Sequence, residues 1–380
     1  MSSIQYLRHT RRWVAATVFA MGVTSATLWP GAAVSAEADV AAAKATVARY
    51  IAGTETAPPT SGPKAVAGKS LYVVSCGQAV PGCSLQTNAT VEAGKTLGWN
   101  VTLVDGAFNA NGAYEKGIRQ AIAAKADGLI LVSIDCGIVT QPLREAKAAG
   151  LKVVGQNGFT CANDPSLMTT MRYSTSMPDL ASFGQAEGAA QAAYIIAKTN
   201  GTAKILNFRF IDNTFAIQIT KGFETEIAKC KTCEVQNADI ALSDYGTPTG
   251  FARKANTALL GAGDIQVVRV PFDSFVTSGV GQAVVLAGKA SSILVVGSEG
   301  FEANLNLIRE KRGQSVAIAS DQQWIGWAAA DTMNRVLAGG EPAPAGIGFK
   351  LVDADNNLPA SGHYRSAIDF KSAYRAVWGK

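Results

Sequence analysis

The sequence predicts an α/β protein, built as two doubly wound parallel-sheet lobes with a hinge and a ligand cleft between them. Three observations carry this. The chain has 380 residues, too many for one ordinary domain and comfortable for two. Its strand-length apolar runs do not alternate with polar residues, as strands buried on both faces of a parallel sheet require. The strand–helix pattern also completes itself and then restarts near residue 178.

Residues 1–36 read as an export signal. Arg8, Arg11 and Arg12 precede an apolar run from Trp13 to about Leu28, and Val34-Ser35-Ala36 offers small residues for cleavage before Glu37. Thr10-Arg11-Arg12-Trp13 is a weak twin-arginine pattern. A membrane anchor is disfavoured because Thr24, Ser25, Pro30 and Gly31 shorten the run. The product is expected free in the periplasm, with no cysteine near the cleavage point for lipid attachment. Residues 37–68 follow as an Ala-rich helix and the linker Pro58-Pro59-Thr60-Ser61-Gly62-Pro63.

The first lobe is expected over 69–177. Its strands are Leu71–Ser75, Val101–Val104, Gly128–Ser133 and Lys152–Gly155; its helices are Asn111–Lys125, with Asn111 as cap, and Ile138–Ala149, stopped by Gly150. The second lobe is expected over 178–345. A long helix, Pro178–Lys198, opens it, and strands at Ala203–Phe208, Glu234–Leu242, Gln266–Val270 and Ile293–Val296 alternate with further helices. Val316–Ala319 reads as a returning strand and Gly326–Leu337 as a helix of this lobe. Residues 346–380 form a hinge-crossing C-terminal segment, with Phe349–Val352 a late strand and Tyr374–Trp378 packing back on a lobe.

Composition narrows function. Hydrophobic residues make up 48% and charged residues 17%, ordinary for a globular chain. The net charge of +5 is spread without a Lys/Arg cluster in the body of the chain, which argues against nucleic-acid binding. Past residue 36 the only histidine is His363, so most histidine-based metal and triad chemistry is excluded, and no metal or cofactor is expected. Six cysteines in an oxidising compartment favour disulfides whose connectivity the sequence leaves open. The pairing expected from loop positions is Cys76–Cys83, Cys136–Cys161 and Cys230–Cys233. The last pair, Cys-Lys-Thr-Cys, follows a helical stretch rather than a strand, against a thioredoxin-like role.

In order and spacing, several stretches resemble the ribose-type (type I) periplasmic solute-binding proteins of sugar ABC transporters. They are Leu71-Tyr72-Val73-Val74-Ser75, Leu97-Gly98-Trp99-Asn100, Gly128-Leu129-Ile130-Leu131, Gly150-Leu151-Lys152-Val153-Val154, Lys221-Gly222-Phe223 and Ile293-Leu294-Val295-Val296-Gly297-Ser298-Glu299-Gly300. The resemblance covers Lys69 to Val352. It implies a non-enzymatic, monomeric binding protein that closes on a sugar or polyol and docks on a membrane permease. LacI-type repressor effector domains share the fold but carry an N-terminal helix-turn-helix, where this chain has an export signal.

The same resemblance suggests ligand positions. Asn157 and Glu299 stand where the family has aspartates, Asp273 beside a family Asn-Asp pair, and Ser320 or Asp321 near a family glutamine. Two features depart from the pattern. The first-strand loop, Cys76 to Cys83, lacks the sugar-stacking aromatics. The arginine expected early in the helix after Asn207 is replaced by Phe215, Ala216 and Ile217, with Arg209 as a possible substitute from another position. Strand-end residues complete the set: Gln78 and Gln156 as amides, Asp135 as cleft acid or helix cap, and Phe215, Phe272 and Trp324 as ring walls or core. These departures keep open a non-sugar ligand such as an aromatic metabolite. The neighbouring acids Asp273 and Glu299 keep open a secreted glycoside-active enzyme.

Overall fold

The computed structural model describes residues 30–245 and 249–380, so the expected export signal up to residue 29 lies outside it. The chain opens with α1 (Pro30–Ala52). The first lobe then runs β1 (Ser70–Ser75), α2 (Pro81–Thr96), β2 (Asn100–Asp105), α3 (Ala113–Ala123), β3 (Gly128–Val132), α4 (Thr140–Ala148), β4 (Lys152–Gln156) and a short β5 (Thr169–Thr170). The next run is α5 (Leu180–Lys198), β6 (Lys204–Phe210), α6 (Thr214–Ile227), β7 (Glu234–Ile240), α7 (Gly250–Gly261), β8 (Val267–Arg269), α8 (Asp273–Phe275) and α9 (Gly281–Leu286). It ends with β9 (Leu294–Glu299), α10 (Glu302–Arg309), β10 (Val316–Ala319), α11 (Gln322–Leu337), β11 (Lys350–Asp353) and α12 (Phe370–Trp378).

Two sheets result, with orders β2-β1-β3-β4-β5 and β11-β10-β9-β8-β6-β7. The first is parallel throughout; in the second only the β10–β11 pair is antiparallel. Side chains alternate across the pleat, so each strand feeds two cores. Val73, Ile130 and Val132 face α2 and α11, whereas Val74, Leu129 and Leu131 face α3 and α4. In the second sheet Ile205, Val267 and Val296 face α5 and α6, while Leu206, Val268 and Val295 face α7 and α9. The core under α2, α11, α5 and α6 runs without a break from one lobe into the other.

Glycine permits the closest helix contacts. A Cβ on Gly326 of α11 would lie 2.7 Å from the Gln86 carbonyl and Thr90 nitrogen of α2, and one on Gly222 of α6 would lie 2.0 Å from the Gln185 carbonyl of α5. The first contact corrects the lobe boundary. Placing 178–345 in the second lobe puts α11 there, but α11 packs on α2 and β4 of the first. It also begins one turn before Gly326, because Asp321 caps the N–H groups of Gln323 and Trp324. α12 in turn packs on α11. The β10 strand does not return but continues the parallel order beside β9, and the antiparallel return is β11. At α3 the first-turn N–H of Tyr114 is taken by Asn109 rather than Asn111, whose own backbone is left-handed.

The Pro-rich linker lies against the body of the protein. α1 packs on α5 and β11. Thr54 and Thr56 then donate backbone bonds to Phe349 and Gly346 of the crossing segment before β11. Farther on, Arg335 of α11 donates to the Ser61 carbonyl and Asn334 accepts the Val66 N–H. The strap therefore joins the second lobe, the hinge and the first lobe. The three disulfides form as expected, between Cys76 and Cys83, Cys136 and Cys161, and Cys230 and Cys233.

Candidate ligand cleft

The carboxyl ends of the parallel strands of the two sheets face one another where Glu299 of β9 meets Gly82 of α2, the usual ligand position in open α/β sheets. On the first lobe, loops after β1, β3 and β4 form the lip. Two disulfides hold it: one closes the loop after β1, and the other ties the loop after β3 to that after β4. Gln78 donates to Ser75 Oγ at 2.7 Å. The ring of Phe108, 48% exposed, lies over Gly77, where a Cβ would meet it at 2.7 Å. An aromatic therefore covers the first-strand loop after all, supplied by the segment after β2.

Beneath this lip is a closed amide network. Gln86 Nε2 donates to Gln322 Oε1 at 2.7 Å, and Gln86 Oε1 accepts from Gln156 Nε2 at 3.3 Å and Asn157 Nδ2 at 3.1 Å. Thr90 donates to Gln156 Oε1, and the Tyr173 hydroxyl donates to Asn157 Oδ1. Asp135, half-buried, accepts the Phe159 N–H at 2.9 Å. It also lies near Thr214 at the start of α6, on the other lobe. Burial raises the Asp135 pKa, and these two neighbours partly oppose the rise.

The second lobe's lip differs in kind. Phe215 and Phe272 stand 5.9 Å apart, and Phe183 of α5 lies 6.5 Å behind Phe215. Beside them is Glu299, in the left-handed region at φ 90°. Its carboxylate Oε2 is buried with no hydrogen-bond partner. Burial first, then the nearby acids Asp273 and Glu187, push its pKa well up. Gly82 of the first lobe faces it; a Cβ there would lie 3.4 Å from Glu299 Oε1 and from the Phe301 ring. Glu187 of α5 is 2% exposed, and its pKa is raised well above the usual range, by burial and then by Asp273.

Of the expected site residues, Gln78, Asp135, Asn157, Phe215, Phe272 and Glu299 border the cleft. Four others are employed elsewhere. Arg209 turns to the outer surface in a two-pronged pair with Asp239 at 2.6 and 2.9 Å. Trp324 is core, stacked on Phe370 at 5.2 Å. Asp321 caps α11 and pairs with Arg365 at 2.9 Å. Asp273 is fully buried; it accepts the Gly300 and Phe301 N–H groups and the Gln314 amide, so it braces the Glu299 turn. Burial lifts its pKa to about 7. Sequence reasoning missed Gln86, Thr214, Glu187 and Phe108. Only Thr214 carried a signal, as the first residue of a helix behind Asn213.

A model of the periplasmic binding protein domain matches residues 73–341. The chain belongs to this family. No curated protein matches it. Solved structures do. The arabinose-binding component of a Shewanella sp. ANA-3 ABC transporter is 18% identical at a TM-score of 0.63, over 81% of this chain and 95% of that one. A glucose-galactose binding protein from Geobacillus stearothermophilus is 16% identical at 0.64, over 77% and 99%. A solute-binding protein from Burkholderia graminis, in complex with D-arabinose, is 14% identical at 0.66, over 77% and 98%. At these identities the likeness is one of fold. The periplasmic binding protein fold accounts for the two lobes, the crossings between them and the return of α11 to the first. Among the described residues no helix is long and apolar enough to cross a membrane.

Proposed function

We propose that this periplasmic binding protein is exported, captures a small polar solute by closing its lobes, and delivers it to an ABC importer as a monomer. A sugar or polyol is the favoured ligand class, because the similar solved structures are sugar-binding proteins. The observation that carries the reading is that an acid at a strand end of each lobe meets a helix start of the other: Asp135 lies near Thr214 of α6, and Glu299 faces Gly82 of α2. Closure excludes water and makes each unmatched polar group costly, by about 1–3 kcal/mol, so the ligand's hydrogen-bond pattern is selected. Glycoside hydrolysis is not favoured, because Asp273, the second carboxylate such an enzyme would use, is bound by three donors of its own lobe.

A second reading, an aromatic metabolite, is favoured by the ring pair Phe215–Phe272 on the second lip. Thermal unfolding of the mature protein against sugars, polyols, aromatic acids and amino acids separates the two. A compound that binds only the folded state raises the midpoint. A rise with sugars or polyols supports the first reading, a rise with aromatic acids alone supports the second, and turnover of model glycosides overturns both.

A further inference from the structure

Acidic groups outnumber basic ones at the second lip. Glu187, Asp273 and Glu299 sense one another's fields, and Asp135 lies across the cleft. Arg269 is a cation coupled to Glu187. Arg269 is fully buried, stacked over Phe223 at 4.9 Å, and donates to Gln191, Asn207 and Thr220. These attachments run to α5, β6 and α6, and Nη2 is buried with no hydrogen-bond partner. Arg209, the other arginine near this end of the sheet, is held outward by Asp239. Asp273 is satisfied by its three donors, whereas Glu299 Oε2 is buried and bare. A buried carboxylate oxygen without a donor is costly unless something supplies one, and an uncompensated buried charge more so.

We propose that the ligand carries a protonated amine, seated on Glu299 with Glu187 behind it and its body against Phe215 and Phe272. This rests on the cleft being the ligand site and names the ligand's chemistry more narrowly. An ammonium donates three hydrogen bonds and stabilises the ionised form of an acid beside it. A neutral hydroxyl satisfies the bare oxygen but leaves the excess of acids in place. With the amine bound, acids that burial keeps protonated are favoured in their charged form, so binding releases protons.

The test uses matched pairs on the mature protein: D-glucosamine beside D-glucose and N-acetyl-D-glucosamine, and tyramine beside its neutral alcohol analogue. Midpoint shifts screen the panel. Titration calorimetry in two buffers of different ionisation enthalpy then counts protons. At least one free amine should bind ten-fold or more tighter than its neutral partner, with protons released. Glu299→Gln should abolish that preference and most of the release while the protein still folds. Glu187→Gln should reduce the release and keep part of the preference. Neutral sugars binding as tightly as the amines would overturn the amine and leave the solute-binding reading intact. No binding by any amine, sugar, polyol or aromatic acid would overturn both. An amine preference that survives Glu299→Gln would also refute the assignment.

Discussion

The two lips of the cleft are built to opposite rules. On the first lobe nearly every polar group has a partner: Gln86 ties Gln156, Asn157 and Gln322 together, and two disulfides fix the loops. On the second lobe the lip is aromatic and acidic, and it keeps a buried carboxylate oxygen unmet. The contrast assigns different work to each side. A fully bonded network is rigid and gives a ligand a pre-shaped surface at little entropic cost. An unmet acid gains most when a ligand arrives, so under the proposed reading discrimination belongs to the second lip. The third disulfide, Cys230–Cys233, lies away from the cleft in the turn between α6 and β7, where it has no lip to hold.

Removing staples breaks this contrast most strongly. Cys136 and Cys161 are 25 residues apart, so replacing both by serine should cost roughly 3–4 kcal/mol by loop-entropy arithmetic, seen as a large fall in the unfolding midpoint. Cys230 and Cys233 are 3 apart, and their loss should cost only about 2 kcal/mol. Equal losses would show that the first lip does not depend on its staple. Next comes Phe272→Ala. It should weaken ligand binding by about 2 kcal/mol, roughly 30-fold, with little change in the unliganded midpoint. The complementary change, Gln86→Ala, should do the reverse, lowering the midpoint by unpairing Gln156 and Asn157 while leaving ligand contacts in place.

The acids set a pH signature. Burial raises Asp273 from near 3.8 to about 7, so between those values the folded chain holds a proton that the unfolded chain releases. Stability then falls as pH rises through that window, because the native state binds more protons there. Asp135, Glu187 and Glu299, also raised by burial, act with the same sign. The unliganded midpoint should decline from pH 5 to pH 8, and Asp273→Asn should flatten the decline. A midpoint that rises over the same range would mean that these carboxylates are not buried as described.

Much of the fold was legible because it depends on patterns a single sequence carries. Unalternating runs such as Gly128–Val132 and Leu294–Val296 became central parallel strands, and the cysteine pairs matched loops that neighbouring strands bring together. Position between the lobes was legible only where a strand end dictates it, as with Asp135 and Glu299. It failed where a side chain's direction depends on tertiary partners. Trp324 reads as a loop aromatic until Asp321 starts the helix early and turns the ring onto Phe370. The lobe of α11 was hidden for a similar reason: its apolar face suits either sheet, and only the fit of Gly326 against α2 selects the first.

Arg209 provides the smallest and most pointed test. As a substitute for the arginine the sugar binders use, it would be central to the site. The structure instead bonds its guanidinium to Asp239 on the neighbouring strand, with Glu224 of α6 at 3.7 Å. All three side chains are partly open to water, where such pairs contribute about 0.2–1 kcal/mol. Arg209→Ala should therefore lower the midpoint slightly, by an amount that shrinks in added salt, and leave ligand affinity unchanged. A ten-fold loss of affinity would place the guanidinium in the cleft of the liganded protein and return part of the recognition to a positive charge. That result would contradict recognition carried by the unmet carboxylate oxygen of Glu299.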